Sequence, residues 1–276
     1  MNNFKNLNEA LYHLCDSLHD APEVNSRGSK QKERIFQSFV IEDPTDLNIT
    51  IPARKFNENY AIAEWLWYLS ADGDAKNIGK LAKIWNMISD RHGQVESNYG
   101  IYLAPQWRWV VNELLNDNDT RRATFVINHS YHKYKNEKDY PCTHYIQFLI
   151  RDDKLHIGVN MRSNDVVYGL CNDVFTFALF QQLMLNELRS EGLKIKLGNY
   201  FHHAGSLHVY ERHYNMLSKI KDESNKEYVN ATNKKFVLKS GFTWNSTYGK
   251  FPSNDVSKED IYNYVKKIKV EIFENE

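Results

Sequence analysis

The sequence predicts an α/β-type fold in which helices flank one strand-rich middle. Three observations carry this reading. Between 122 and 162, apolar residues alternate with polar ones or run on in segments of strand length. Before and after that stretch they recur at helical spacing, and 276 residues suffice to close over one large core. The expectation is a single domain, 1–276.

The elements follow in order. Residues 59–70 and 75–91 read as helices, the second with Ile78, Leu81, Ile84, Trp85 and Ile88 on one face, and a third helix is read at 107–116. Strands are read at 122–128, 143–150 and 154–162, broken by polar stretches at 130–140 and at Arg151-Asp152-Asp153. Helical spacing resumes over 172–190 through Val174, Phe177, Ala178, Gln181, Met184, Leu185 and Leu188. Lys219 to Lys235 is charged and reads as a solvated loop. Ser257 with Asp260 three residues on is a capping pattern, opening a last helix through Ile261, Tyr264, Val265 and Ile268.

Composition excludes several function classes. Lys plus Arg and Asp plus Glu both number 35, so no basic surplus exists for coating a nucleic-acid polymer or an anionic membrane. No two of the 12 glycines are separated by a single residue, which removes the G-x-G-x-x-G loop, and the P-loop pattern is absent as well. Phosphate recognition therefore falls to side chains. Cys15, Cys142 and Cys171 are widely spaced with no C-x-x-C pair, as expected of a reduced cytoplasmic protein. No signal peptide is read, and the most apolar stretch, Val166 to Leu185, is interrupted by Asn172, Asp173, Gln181 and Gln182 and is too polar for a bilayer. No metal-ligand set is read; His202, His203 and His213 have no acidic or Cys partners at ligand spacing.

The chemistry-bearing residues cluster around the strands. Pro141-Cys142-Thr143-His144 precedes one strand, Arg162-Ser163-Asn164-Asp165 follows the next, and Asn172-Asp173 opens the long helix. Gly205-Ser206-Leu207-His208-Val209-Tyr210 comes later. A Cys at a strand edge with arginines available to stabilise its thiolate is a candidate nucleophile. A lone Cys is more often a small buried hydrophobe.

The order of these segments resembles the thymidylate synthase superfamily. Pro141-Cys142, Gln147-Phe148, Arg162-Ser163-x-Asp165, Gly169, Asp173 and Gly205-Ser206-x-His208-x-Tyr210 follow the family's pattern. Upstream, Arg27, Glu64, Trp85, Tyr99-Gly100 and Thr120-Arg121-Arg122 match in the same order, so the likeness runs over about 25–215. The segment 219–276 shows no readable motif and reads as a divergent C-terminal extension. Three positions depart from ordinary thymidylate synthase: Thr143 follows the Cys, Ser206 replaces an Asp, and Asp173 replaces an Asn. These departures resemble the deoxycytidylate hydroxymethylase branch.

The resemblance implies a thymidylate synthase-like fold, a large mixed sheet with flanking helices, and sheets packing in a homodimer. It implies 5,10-methylenetetrahydrofolate as one-carbon donor and dCMP as acceptor, with Cys142 adding to carbon 6 and Glu64 and Tyr99 ordering water and moving protons. Arg27, Arg162 and Ser163 would bind the phosphate together with Arg121 and Arg122 from the partner subunit. His208 and Tyr210 would contact the sugar, Gln147 the nucleotide, and Trp85, Asp165 and Glu64 the folate. The Asp173 assignment also has a physical reason. An Asn amide matches the ring N–H and carbonyl of uracil, whereas a carboxyl sharing one proton with the ring nitrogen matches cytosine and its amino donor. Thymidylate synthase, a dCMP methylase, a CMP hydroxymethylase and a non-catalytic nucleotide-binding homologue remain open readings. A hydrolase using Cys142 and His208 would need an oxyanion hole and an orienting group that the sequence does not offer.

Overall fold

The computed structural model describes residues 1–134, 138–229, 234–247 and 251–274. Its strands are β1 (Asn2–Phe4), β2 (Glu23–Ser26), β3 (Ser29–Ile41), β4 (Thr124–Val126), β5 (Thr143–Arg151), β6 (Lys154–Met161), β7 (Asn164–Asp165) and β8 (Lys196–Tyr210). They form one mixed sheet in the order β1-β3-β8-β6-β5-β4, with β2 beside β3 and β7 beside β8. The helices are α1 (Leu7–His19), α2 (Glu58–Leu69), α3 (Ile78–Leu81), α4 (Lys83–Ile88), α5 (Gly100–Asn116), α6 (Gly169–Ser190), α7 (Tyr214–Ile220), α8 (Lys226–Val229), α9 (Trp244–Thr247) and α10 (Lys258–Ile272). The expected mixed sheet flanked by helices is what the chain forms. No helix among the described residues is long and apolar enough to cross a membrane.

The sheet axis is the pair β3 and β8, antiparallel from Gln31↔Tyr210 to Ile41↔Tyr200, with β6 parallel on the other side of β8. Sequence reading missed both long strands. Along β8 the inward side chains begin as core (Tyr200, His202, Ala204) and end as Ser206, His208 and Tyr210, so the face that starts as packing opens into a cleft.

Helix α6 is buried on every side from Val174 to Leu188. Three of its buried amide side chains, at Gln181, Gln182 and Asn186, bind backbone. Gln181 donates to the carbonyls of Leu155 and Gly198 at 2.8 and 3.1 Å. Gln182 donates to Phe236 O and accepts from Leu238 N, both at 2.9 Å, and Asn186 donates to Lys239 O and Phe242 O. Gln182 pairs both ends of its amide and Asn186 donates twice, so these two side chains hold the C-terminal segment against the core.

Two helix readings change. The expected helix over 75–91 is two short ones, because Ala82 is extended (φ −138°, ψ 112°) between α3 and α4. The helix read from 107 begins at Gly100 and runs through Pro105. A Cβ at Gly100 would stand 1.6 Å from the carbonyl oxygen of Tyr68, so only glycine allows α5 to start against α2. The stretch 219–235, read as a loop, contains the end of α7 and all of α8, with Asn225 and Val229 buried; its residues 230–233 lie outside the described ones. The Ser257 cap holds as read, with Asp260 N donating to its hydroxyl at 3.1 Å and the reciprocal bond from Ser257 N present.

Candidate active site

A cleft of about 430 Å³ opens where β2, β3, β8 and the segment after β6 meet, lined by Arg27, Arg162, Ser163, His208 and Tyr210. Gln31, Glu33 and Ser206 line it as well. Arg27 stands exposed at the tip of the β2–β3 hairpin, whose two turn residues, Arg27 and Gly28, both have positive φ (49° and 76°). That is the two-residue turn whose twist matches antiparallel strands. A second cavity of about 720 Å³, between α5 and α9 beside Trp107 and Trp244, contains none of the expected site residues.

Cys142 is half-buried at the mouth of β5, and Arg162 wraps it. The Arg162 backbone N–H donates to Cys142 O at 2.8 Å, Nε donates to Pro141 O at 3.1 Å, and Nη2 donates to Tyr140 O at 2.7 Å and lies 3.7 Å from Cys142 Sγ. Burial pushes the thiol up; the Arg162 and Arg27 charges oppose this, and Asp173 and Asp139 add to it. The arginines are therefore what makes a thiolate attainable. Asp139 had no sequence signal. It takes the N–H and hydroxyl of Ser97 at 2.7 and 2.5 Å, tying the loop before Cys142 to the turn before Tyr99.

Two further carboxyls stand apart from the arginines, and the charge of Asp173 reaches Glu64. Glu64 on α2 is buried, accepts from Tyr60 Oη at 2.5 Å, and Tyr60 Oη in turn accepts from the Trp85 indole at 3.0 Å. Burial pushes the Glu64 carboxyl up to about 8, with the Tyr60 bond opposing and Asp173 reinforcing. Asp173, in the first turns of α6, accepts from Asn164 Nδ2 at 2.7 Å. Burial raises its carboxyl to about 7, against the Asn164 bond and with a push from Asp165. Of the neighbours Asn172 and Asp173, it is thus Asp173 that meets the segment after Arg162. Tyr99 is buried between the rings of Tyr68 (5.3 Å) and Phe177 (5.6 Å), and burial, then Cys142 and Asp173, keep its phenol protonated.

His208 is buried with Tyr210 edge-on at 5.0 Å, and burial depresses its imidazole, with Asp165 opposing, so it stands neutral. Asp165 accepts from Val167 N at 3.1 Å through one oxygen. Trp85 is almost wholly buried and packs on Trp67 at 4.8 Å. What α4 presents outward is instead Met87, 66% exposed, and Ile84, which was read on the apolar face with Ile78 and Leu81 but is 50% exposed because the helix breaks at Ala82.

Cys142, Glu64, Tyr99, Trp85, Asp165 and Asp173 do not line the cleft itself, and three further expected residues point elsewhere. Gln147 faces the outer side of the sheet, opposite to buried Ile146, Phe148 and Ile150, and donates to Arg121 O at 2.8 Å. Arg121 and Arg122 are exposed; Arg122 pairs with Glu113 at 3.4 Å and lies over Trp109. His202 stacks on Phe39 at 4.9 Å and its pKa falls to about 3 on burial, and His203 bonds Ser38 Oγ at 2.8 Å. His213 contacts Tyr168 edge-on at 4.9 Å.

Comparison with known proteins supplies independent findings. The family model for thymidylate synthase matches residues 18–273, so the likeness continues past 215, where readable motifs end. A deoxycytidylate 5-hydroxymethyltransferase of Enterobacteria phage T4 is 33% identical over 207 residues, covering 69% of this chain and 80% of its own. A deoxyuridylate hydroxymethyltransferase of Bacillus phage SP01 is 29% identical over 232 residues, 78% of this chain and 59% of its own. The solved structure of thermostable thymidylate synthase A from Bacillus subtilis shares the fold, with a TM-score of 0.65, 20% identity and coverage of 79% and 85% of the two chains.

Proposed function

The chain belongs to the thymidylate synthase family, whose members transfer a one-carbon unit from a folate to carbon 5 of a pyrimidine nucleotide, and on that premise we propose that it hydroxymethylates dCMP. The reaction is dCMP plus 5,10-methylenetetrahydrofolate plus water to 5-hydroxymethyl-dCMP plus tetrahydrofolate. The observation that carries this reading is Asp173, a half-buried carboxyl fixed by Asn164 and poised at about 7. At that value it can share one proton with the cytosine ring nitrogen while accepting from the amino group.

The residues then divide the work. Arg27, Arg162 and Ser163 grip the 5′-phosphate, the guanidinium forks suiting a dianion. The Cys142 thiolate adds to carbon 6, and a proton held by Asp173 on the ring makes that carbon a better electrophile. Carbon 5 becomes nucleophilic and accepts the one-carbon unit. Methylenetetrahydrofolate supplies that unit at the oxidation level of formaldehyde. The exposed pair Ile84 and Met87 fits its aromatic body, and the oxygen of Asp165 that Val167 does not engage fits its polar heterocycle. Glu64, held by Tyr60 and largely protonated at neutral pH, delivers and takes back protons and orders the water that completes the hydroxymethyl group. Carbon 5 gives up its proton as tetrahydrofolate departs, water adds to the exocyclic methylene that this leaves, and the electron pair returned to the ring expels the Cys142 thiolate.

Arg121 and Arg122, exposed and remote from their own cleft, serve the cleft of a second copy, which makes the working unit a homodimer. Incubation with dCMP or dUMP and methylenetetrahydrofolate, read by product mass, tests the reading. Hydroxymethyl-dCMP with tetrahydrofolate is expected; turnover of dUMP alone, or dihydrofolate as coproduct, overturns it.

A further inference from the structure

Glu33 lies in the nucleotide cleft and belongs to none of the motifs. It pairs with His208 across β3 and β8, and directly opposed residues of an antiparallel pair point to the same face. The Ser206 hydroxyl donates to Glu33 Oε1, and His208 Nδ1 lies 3.3 Å from that same hydroxyl oxygen. One carboxylate oxygen is thus fixed by Ser206, and the other has no hydrogen bond or ion pair among the described residues. The cleft also holds Arg27, Arg162 and Ser163. An anion among phosphate-binding groups weakens their grip unless it serves a different part of the ligand. A carboxylate can only accept, so that part must be an O–H or N–H donor. The base is accounted for by Asp173, and the only free hydroxyl of a deoxynucleoside 5′-monophosphate is the one on carbon 3′ of the sugar.

We propose that Glu33 joins His208 and Tyr210 at the sugar as the residue that reads its 3′ position: its free oxygen accepts the 3′-hydroxyl, and its charge repels any nucleotide phosphorylated there. The site then takes free mononucleotides and rejects 3′-phosphorylated ones, including residues within a nucleic-acid strand. Ser206 positions the carboxylate, and this gives a reason for a hydroxyl at that place on β8. The inference rests on reading the cleft as a nucleotide site, not on which base is bound.

The test is equilibrium binding to the full-length protein of dCMP, 2′,3′-dideoxy-CMP and deoxycytidine 3′,5′-bisphosphate, with the uracil series in parallel. Wild type should prefer dCMP over the dideoxy nucleotide by about tenfold to hundredfold, the range of a hydrogen bond to a charged group, and should bind the bisphosphate more weakly still. Glu33→Ala should bring the first ratio to within about threefold of unity. Glu33→Gln, which keeps the shape and a neutral acceptor but not the charge, should hold the first ratio between those of wild type and Glu33→Ala while relieving the bisphosphate penalty by about tenfold or more. A dideoxy ratio unchanged in Glu33→Ala, or a bisphosphate penalty unchanged in Glu33→Gln, overturns the proposal. If only uracil nucleotides bind, the base assignment fails and the sugar ratios still judge Glu33; if neither series binds, the nucleotide reading and this one fall together.

Discussion

The guanidinium of Arg162 lies 3.7 Å from the sulfur of Cys142, and the backbone N–H of the same arginine donates to the Cys142 carbonyl at 2.8 Å. One residue therefore both fixes the strand end that carries the thiol and supplies the leading charge against its burial. Arg162→Met should raise the thiol further, since the lowering contribution is lost. The alkylation rate of Cys142 by iodoacetamide at neutral pH should fall by about tenfold, one pKa unit's worth of thiolate. A pH profile of alkylation that does not move would show that Arg162 has no hold on the thiol.

Glu64 gives a pH-dependent stability with a definite sign. Its carboxyl stands at about 8 in the fold against an ordinary value of 4.5, so between those values the unfolded chain binds fewer protons than the folded one. The contribution to stability is full below the ordinary value and is lost as pH rises toward the folded value. Asp173, raised to about 7 from 3.8, acts in the same direction. Glu64→Gln keeps an acceptor for Tyr60 and removes the titration. Its melting temperature should exceed that of wild type by a few degrees at pH 8 and match it within about a degree or two at pH 5, by circular dichroism. Equal destabilisation at both pH values would contradict this.

Asp173→Asn exchanges an acceptor that shares a proton for an amide that matches uracil. Because a mismatched ligand leaves buried polar groups unpaired, the ratio of kcat/KM for dCMP over dUMP should drop by about a hundredfold or more. An unchanged ratio would mean that Asp173 does not read the base.

If Arg121 and Arg122 serve the partner's cleft, two defective proteins should rescue each other. Cys142→Ala has no nucleophile and Arg121→Ala/Arg122→Ala weakens phosphate binding, yet a mixed dimer contains one site with all its parts. Mixing the two after mild dissociation should restore about a quarter of wild-type activity if exchange is random. No recovery while mixed dimers form would place the two arginines elsewhere.

Much of this site was legible in the sequence because chemistry demands particular residue types, and Arg27, Cys142, Arg162 and His208 keep their order however far apart they fall. The elements between them were harder to read. Helix α1 was left unassigned although Leu7, Leu11, Leu14 and Leu18 follow helical spacing and Asn6 caps it, accepting from Glu9 N at 2.9 Å. β8 has an inward face carrying His202, Ser206 and His208, so apolar alternation cannot reveal it. Gln147 was assigned through the resemblance, and the alternation of β5 turns it to the face opposite Ile146 and Phe148. Glu33 left no trace in the sequence because its meaning comes from a residue 173 positions away, across the β3–β8 pairing. The segment after 215 lacks motifs since its task is docking, which Gln182, Asn186 and Glu187 accomplish by gripping backbone.

The central claim is that Cys142 adds to carbon 6 of a cytosine nucleotide that Asp173 has recognised. Addition makes the hydrogen on carbon 5 exchangeable without any folate, so the direct measurement is deuterium uptake at carbon 5 of dCMP and of dUMP in heavy water, followed by NMR. The account predicts exchange with dCMP, at least tenfold slower exchange with dUMP, and none with Cys142→Ser. Exchange of dUMP in preference to dCMP, or exchange of dCMP that survives Cys142→Ser, would contradict it.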